Sequence, residues 1–164
     1  MEKTKKGLAE AFAGESQANR KYTAYAAKAE ADGYKQAAKL FRAAAEAEAI
    51  HALNELKEMG KALDTVENLK DAIAGETHEY TSMYPEFIEY AKEENQPKAQ
   101  RIFEHAAAAE KVHAELYQKE LDNLTKENGP AFYLCPVCGY IHEGSAPDAC
   151  PICAAKGSVF KEFN

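Results

Sequence analysis

The chain has 164 residues, of which 46% are hydrophobic, and a formal net charge of −7. This length allows one well-packed core with a small appendage, and the composition is that of a globular chain. The acidic excess disfavours nucleic acid as a partner, and no apolar stretch approaches the roughly 20 residues of a membrane span. The first residues lead into no apolar signal segment, so we expect a cytoplasmic protein.

Four helices are predicted along the first 126 residues, because apolar side chains recur there every three or four positions. Glycine or proline stands between these segments and interrupts them. The predicted helices cover residues 4–31, 35–59, 69–94 and 98–126. Residues 61–68 are expected to form a linker, and Pro85 is expected to kink the third helix.

A metal-binding pattern lies inside the alanine-rich second helix. Glu48 and His51 stand three positions apart, so both side chains lie on one helix face and reach one point. The apolar stripe of the helix continues onto this pair, and a buried carboxylate is very costly unless something pairs it. A bound metal ion would compensate the charge of that carboxylate. The same pattern recurs 62 residues later as Glu110 and His113, which makes chance spacing a poor explanation.

A second pair of segments repeats in step with the first. Ala-Gly-Glu-Ser, which contains Glu15, recurs 61 residues later as Ala-Gly-Glu-Thr, which contains Glu76. Each half of the chain thus supplies one Glu and one Glu-x-x-His, all near the middle of predicted helices. This is the arrangement of carboxylate-rich four-helix bundles that hold two metal ions. The repeat therefore predicts a mainly α fold, a ferritin-like four-helix bundle, over residues 1–128.

Three further side chains lie within reach of these positions. Glu79 comes three residues after Glu76 on the same face, where the first helix has Ala18. It is either a partly exposed residue or a fifth carboxylate that one metal uses in one oxidation state. Tyr22 and Tyr84 follow Glu15 and Glu76 by seven and eight residues. Each tyrosine either hydrogen-bonds a ligand carboxylate or simply packs in the core.

The last 34 residues differ in character, being short, aromatic and rich in turns. All four cysteines lie here, in two Cys-x-x-Cys knuckles with 11 residues between them. Four thiolates form a tetrahedral site suited to zinc or iron, and a cytosolic chain favours metal over disulfides. Proline after the first cysteine of each knuckle and a shell of aromatic residues favour iron. The cysteines are Cys135, Cys138, Cys150 and Cys153, and the aromatic residues are Tyr133, Tyr140, Phe160 and Phe163.

With both sites in view, the chain resembles a rubrerythrin over essentially its whole length. The Ala-Gly-Glu-Ser and Glu-x-x-His segments look like that family's diiron motifs, and the knuckles look like its rubredoxin-type tail, here residues 131–164. The resemblance implies a non-haem iron peroxidase with three irons per chain: one diiron centre and one Fe(Cys)4 site. It implies hydrogen peroxide as the substrate, and a rubredoxin or an NAD(P)H-dependent reductase as the electron donor.

The resemblance also assigns roles to the ligands. Glu48 and Glu110 would bridge the two irons. Glu15 would be terminal on the first iron, and Glu76 with His113 on the second. The first iron is expected to exchange Glu79 for His51 on reduction, and the four cysteines would hold the mononuclear iron. One departure is Ala154, where many members of the family have glycine after the last cysteine.

Two other functions remain open from the sequence. A ferroxidase or iron-handling protein shares the bundle but has no use for a rubredoxin tail, and a zinc protein without catalytic activity would be colourless. For assembly, we expect at least a homodimer with helix pairs exchanged between subunits. The second helix is roughly 37 Å long, whereas the predicted linker reaches roughly 30 Å at most.

Overall fold

The computed structural model describes residues 2–164. Within this part of the chain the backbone forms two compact units, the first ending at Leu63 and the second running from Asp64 to Asn164. None of the helices in this described range is long and apolar enough to cross a membrane. The protein is mainly helical, with a small antiparallel sheet and a four-cysteine site near its C-terminal end, which confirms the predicted fold class.

The first unit consists of two helices, α1 (Glu2–Ala31) and α2 (Lys35–Glu58), packed along their length. Their contact is built mainly from alanine, whose small side chain lets helix axes approach closely. The buried alanines are Ala26, Ala29, Ala38, Ala45 and Ala52. The one buried polar residue described, Asn19, donates its side-chain N–H to the Ala45 carbonyl at 2.7 Å, so its burial is compensated.

The second unit begins with a capped helix, α3 (Thr65–His78). The Asp64 side chain accepts a hydrogen bond from the Glu67 backbone N–H at 3.0 Å, which satisfies one of the free donors at a helix start. The predicted linker of residues 61–68 is therefore too long, because the third helix starts four residues earlier than expected. The cap follows an Asp-x-x-Glu pattern that the helical periodicity alone did not indicate.

The predicted third helix is not continuous. After α3 comes one turn of π-helix, Glu79–Met83, and then α4 (Tyr84–Glu93), with Pro85 in its first turn. A π turn accommodates one residue more than an α turn. The internal repeat contains that extra residue: the interval from Glu to Tyr is seven residues in α1 and eight here. The π turn thus accommodates the inserted residue within one turn of helix.

The last helix, α5 (Pro97–Asp122), packs against α3 and α4 and ends four residues before the predicted position. After it, a three-stranded antiparallel sheet of strand order β2-β1-β3 supports the two cysteine knuckles. Gly157 is required in this region, because a Cβ atom there would lie 1.9 Å from the Pro147 carbonyl oxygen. The strands are β1 (Phe132–Leu134), β2 (Ile141–Glu143) and β3 (Lys161–Phe163).

Candidate metal centres

The first unit brings together three of the predicted ligands. Glu15 projects from α1, and Glu48 and His51 project from α2, with one donor atom of each within 4.8 Å of the others. His51 Nδ1 lies 2.9 Å from Glu48 Oε2. A hydrogen bond shared with Glu48 raises the pKa of Glu15, and burial adds to this effect. Two carboxyl groups this close repel one another when both are charged, and a bound cation would offset that repulsion.

The second unit repeats this arrangement. Glu76 of α3 meets Glu110 and His113 of α5, again with donor atoms within 4.8 Å of one another. His113 Nδ1 lies 2.5 Å from Glu110 Oε2 and 3.7 Å from Glu76 Oε1. Burial raises the pKa of Glu76, and the charge of Glu110 raises it further.

The chemistry of each donor set fits iron. Carboxylate oxygens and a neutral imidazole nitrogen are donors that iron accepts, and a bound cation would offset the effects that raise the pKa of Glu15 and of Glu76. The six residues are those the repeat predicts for the diiron centre, three in each unit. Their individual roles on a bound metal stay predictions.

Glu79 stands apart from the second donor set. It begins the π-helical turn, is half-buried, and does not belong to the described group of mutually close donor atoms. Burial raises the pKa of Glu79, and the charge of Glu76 raises it further, so the two side chains are near one another. Glu79 is thus partly buried beside the second donor set, and its role on a bound metal stays a prediction.

The two tyrosines occupy equivalent places in the two units. The Tyr22 ring lies 6.2 Å from Phe41, and the Tyr84 ring lies 6.2 Å from Phe103, centroid to centroid. Within residues 2–164 neither hydroxyl hydrogen-bonds a ligand carboxylate, so ring packing is what the structure shows. Burial raises the pKa of Tyr84, and so do the carboxylates around it, beginning with Glu79. Its phenol therefore keeps its proton.

One carboxylate near the first donor set was not predicted. Glu55 lies one helical turn after His51, and its Oε2 atom is buried without a hydrogen-bond partner in the described structure. Its charge contributes to the raised pKa of Glu15. The spacing of four residues on one helix face was the available signal.

The four cysteines converge as the knuckle pattern predicts. Cys135 Sγ lies 3.6 Å from Cys153 Sγ, and Cys138 Sγ lies 3.5 Å from Cys150 Sγ. A tetrahedral M–S4 site with bonds of about 2.3 Å has sulfur–sulfur edges of about 3.8 Å, so a metal fits with little movement.

Burial and backbone amides act in opposite directions on these thiols. Burial raises the pKa of Cys138 and of Cys153. Burial acts in the same direction on Cys135, but hydrogen bonds from the backbone N–H groups of Val137 and Cys138 hold its pKa below the usual value. Amides directed at sulfur stabilise the thiolate that a metal requires.

The shell around the cysteines differs from the predicted one. Tyr140 and Phe160 pack on the buried cysteines, as expected, and Val112 of α5 completes the cluster. Tyr133 instead directs its hydroxyl to Glu162 at 3.0 Å, and Phe163 is 47% exposed. The prediction was wrong for these two. Phe163 pairs with Phe132, and Tyr133 pairs with Glu162, so the two side chains lie on opposite faces of the sheet, and neither belongs to the cluster around the buried cysteines.

The second knuckle accommodates Ala154 in a left-handed conformation, with φ of 60°. Gly139 occupies the matching place in the first knuckle, with φ of 83°. An L-residue in this region costs roughly 1–2 kcal/mol relative to glycine's freedom there. The departure noted in the sequence is therefore a local strain that leaves the cysteine arrangement intact.

A direct contact joins the second donor set to the four-cysteine site. His113 Nε2 lies 2.8 Å from the carbonyl oxygen of Gly139, the residue that closes the first knuckle. Because Nδ1 faces the carboxylates, Nε2–H donates to this carbonyl and fixes the imidazole tautomer. An ion pair between Lys119 of α5 and Glu143 of β2 is a second contact between this helix and the four-cysteine domain. Sequence spacing could not reveal this contact, since one partner is a backbone carbonyl.

Two carboxylate–histidine donor sets on helices, together with a four-thiolate knuckle site, define a class of non-haem iron protein with two kinds of centre. The rubrerythrin family model matches residues 6–121, and the model for the rubrerythrin rubredoxin-like domain matches residues 133–161. The chain belongs to the rubrerythrin family. Its metal complement is accordingly one diiron centre and one Fe(Cys)4 site.

Individual relatives agree with this assignment. The chain is 40% identical to nigerythrin of Nitratidesulfovibrio vulgaris Hildenborough, covering 98% of this chain and 86% of that protein. It is 36% identical to rubrerythrin of the same organism, covering 97% and 93%. A solved structure of nigerythrin in a partially reduced state superimposes with a TM-score of 0.61 at 38% identity, covering 98% of this chain and 86% of that one.

Proposed function

We propose that the protein is a peroxidase that reduces hydrogen peroxide to two molecules of water, taking up two electrons and two protons. The observation that carries the proposal is the hydrogen bond from His113 to the Gly139 carbonyl. It connects a ligand of the diiron centre to the loop that holds the one-electron Fe(Cys)4 site. A protein that only oxidises and stores iron has no need of that connection.

When bound, a pair of ferrous ions supplies both electrons for cleavage of the O–O bond, so no one-electron oxygen radical is released. The protein's own groups hold donors and protons in place. Glu48 and Glu110 are proposed as the bridging carboxylates, and Glu15, Glu76 and His113 as terminal ligands. Tyr84, whose phenol stays protonated beside Glu79, can hold a proton near the reacting oxygen.

The exchange between Glu79 and His51 is proposed for the first iron. Glu79 begins a π-helical turn and lies outside the three-donor group, while the His51 side chain is 55% exposed. Both groups thus have room to bind in one oxidation state and withdraw in the other. A carboxylate is preferred by the more highly charged ferric ion, and the imidazole by the ferrous ion.

We further propose that residues 1–128 act as the diiron domain and residues 131–164 as the electron-carrying domain. The donor is a rubredoxin or an NAD(P)H-dependent reductase. Free thiols in all four knuckle positions suit a reducing compartment such as the cytoplasm.

The short connection between α2 and α3 supports assembly through exchange of helix pairs. Only residues 59–64 separate Glu58 from Thr65, and they reach about 25 Å when extended. The 24 residues of α2 span about 36 Å. A ferritin-like bundle needs a connection that returns along the helix. We therefore propose a homodimer in which the first unit of one chain completes the donor set of the second unit of its partner.

Cys138→Ser tests the proposed division of labour. The variant should lose the red Fe(Cys)4 absorption and the turnover that depends on electrons relayed through that iron. Its chemically reduced diiron centre should still be oxidised once by peroxide, because the two sites have separate ligands. Stopped-flow spectra with peroxide and with oxygen check this. Faster oxidation by oxygen than by peroxide in the wild-type protein would support the ferroxidase alternative, and loss of the single oxidation in Cys138→Ser would contradict the division.

A further inference from the structure

Three side chains of α5 hold the four-cysteine domain in place. Val112 packs against the buried cluster around the cysteines. His113 donates from Nε2 to the Gly139 carbonyl, and Lys119 pairs with Glu143 at the end of β2. We call Val112, His113 and Lys119 the α5 face.

The internal repeat places an equivalent set on α2. At the offset of 62 residues, the counterparts of the α5 face are Ile50, His51 and Lys57, which we call the α2 face. The histidines and the lysines are identical between the two faces, and Ile50 is larger than Val112 by one methylene group. The two helices therefore present the same apolar, hydrogen-bonding and cationic groups at the same spacing.

The two faces differ in what covers them within their own units. The His113 side chain is 15% exposed, whereas that of His51 is 55% exposed and Ile50 is 60% exposed. His51 Nδ1 faces Glu48 at 2.9 Å, and its Nε2 makes no hydrogen bond within residues 2–164. The nitrogen that in His113 donates to a knuckle carbonyl is thus free to do so in His51.

We propose that the α2 face docks a second four-cysteine knuckle domain, carried by a separate rubredoxin-like electron donor. The chain's own domain is held on α5 by three contacts, so the second position is available to another molecule. The donor must offer an apolar knuckle surface against Ile50, a carbonyl after a Cys-x-x-Cys pair for His51, and a carboxylate for Lys57. The docking rests on the proposed function, which requires an external donor.

We expect docking on α2 to be weak, because one apolar residue of α5 is replaced by a polar residue on α2. Leu116 of α5 lines an apolar cavity of about 520 Å³ beside the sheet, together with Phe132 and Ile141. Its counterpart on α2 is Asn54, which is exposed and polar. A docked domain would therefore bury less apolar area on α2 than on α5. Small, weak interfaces are typical of transient redox complexes, whose partners must separate after each electron.

Calorimetric titration of the oxidised holoprotein with zinc-substituted rubredoxin tests the proposal, and zinc keeps the probe redox-silent. Ile50→Lys should weaken binding roughly tenfold or more, because it places a charge at the centre of the contact. Lys57→Glu should weaken it about threefold, as expected for a pair at the rim. Circular dichroism checks that both exposed substitutions leave the helix content unchanged.

Leu53→Lys is the matched control. Leu53 is 55% exposed on the same helix but lies away from the donor face, and the side chain of its α5 counterpart, Glu115, is 65% exposed, so the knuckle domain does not cover that position. The control should bind rubredoxin like the wild-type protein. Unchanged binding by Ile50→Lys would overturn the proposal. Val137→Lys changes the chain's own first knuckle, and a loss of binding in that variant alone would overturn it as well. A change of dimer mass in Ile50→Lys would also overturn it, by assigning the face to contact between copies.

The docking and the peroxidase proposal can fail separately. Peroxide oxidation of the chemically reduced wild-type protein involves no donor, so it tests the proposed function alone. Rubredoxin titration of the oxidised protein involves no peroxide, so it tests the docking alone.

Discussion

The two helical units carry the same ligands on different scaffolds. In the first, α1 and α2 are uninterrupted and meet through alanine. In the second, the corresponding first helix is divided by a π turn, Pro85 follows that turn, and α5 bears the four-cysteine domain. The ligands Glu15 and Glu76 nevertheless occupy equivalent places.

The two units differ in what surrounds these donor sets. Glu79 begins the π turn beside the second set, where the first unit has Ala18, and α5 binds the knuckle domain through His113. The two donor sets are similar, but the residues around them thus differ. The proposed ligand exchange involves both units, with His51 from the first and Glu79 from the second, whereas the contact with the knuckle domain belongs to the second unit.

The largest expected effect is on peroxidase activity, in a mixed dimer of two variants that each lack a bridging carboxylate in a different unit. Glu48→Ala and Glu110→Ala should each be inactive alone, because each removes a bridging carboxylate. Co-refolding the two variants should restore activity if helix pairs are exchanged, since one centre of the heterodimer is then intact and the other doubly damaged. Peroxidase assays on the purified heterodimer check this.

The control for this mixing experiment is two differently tagged Glu48→Ala chains refolded together, which should stay inactive. A confirmed heterodimer of Glu48→Ala and Glu110→Ala without activity would contradict the exchange of helix pairs. It would mean that both units of a centre come from one chain.

Removing the residue that distinguishes the units should have a smaller effect. Glu79→Ala is expected to retain two irons in the diiron centre, because the six donors of the two sets remain. Its reaction with peroxide should be abnormal in rate or spectrum, since the ferric state loses a carboxylate. Iron analysis and stopped-flow spectra check this, with Glu55→Ala as a comparison on the other unit. Loss of a whole iron from Glu79→Ala would show that Glu79 is an obligatory ligand.

The starts of α3 and α2 offer a stability test. Asp64 caps α3, whereas Tyr34 at the start of α2 makes no side-chain cap bond. Asp64→Ala should lower the free energy of unfolding by about 1 kcal/mol. Tyr34→Ala is the control and should change it by less than about 0.5 kcal/mol, since Tyr34 is a surface residue. Urea unfolding followed by circular dichroism measures both, and equal effects would contradict the cap.

The smallest effect concerns the two knuckles. Ala154→Gly relieves a left-handed alanine and should stabilise the tail by about 0.5 kcal/mol, because the relief of about 1–2 kcal/mol is offset by glycine's greater freedom when unfolded. The urea midpoint for loss of the red colour should rise. Ala155→Gly, at a half-buried neighbouring position, should lower it. A lower midpoint in Ala154→Gly would show that the φ value is not a strain.

The grouping of these donor atoms could be predicted because their spacing is local. Glu48 and His51 share a helix turn, and the repeat at Glu110 and His113 made the pattern specific. The cysteine knuckles were predictable for the same reason. The roles of Tyr22 and the extent of each domain stay predictions.

What the sequence missed depended on single residues or on tertiary contacts. The apolar periodicity predicts a start at residue 69, because the cap at Asp64 is a single-residue signal that periodicity does not contain. The π turn was visible only as an interval of eight residues in place of seven before Tyr84. The bond between His113 and Gly139 has no sequence signal, since it joins a side chain to a main-chain carbonyl 26 residues away.

The π turn has a consequence for how the two halves diverged. If the repeat arose by gene duplication, one added codon accounts for the change of offset from 61 residues at Glu76 to 62 at Tyr84. A π turn confines the extra residue to one turn of helix, so Tyr84 keeps the ring contact with Phe103 that Tyr22 keeps with Phe41. The second copy thus gained a residue beside an existing centre while the rest of the helix kept its register.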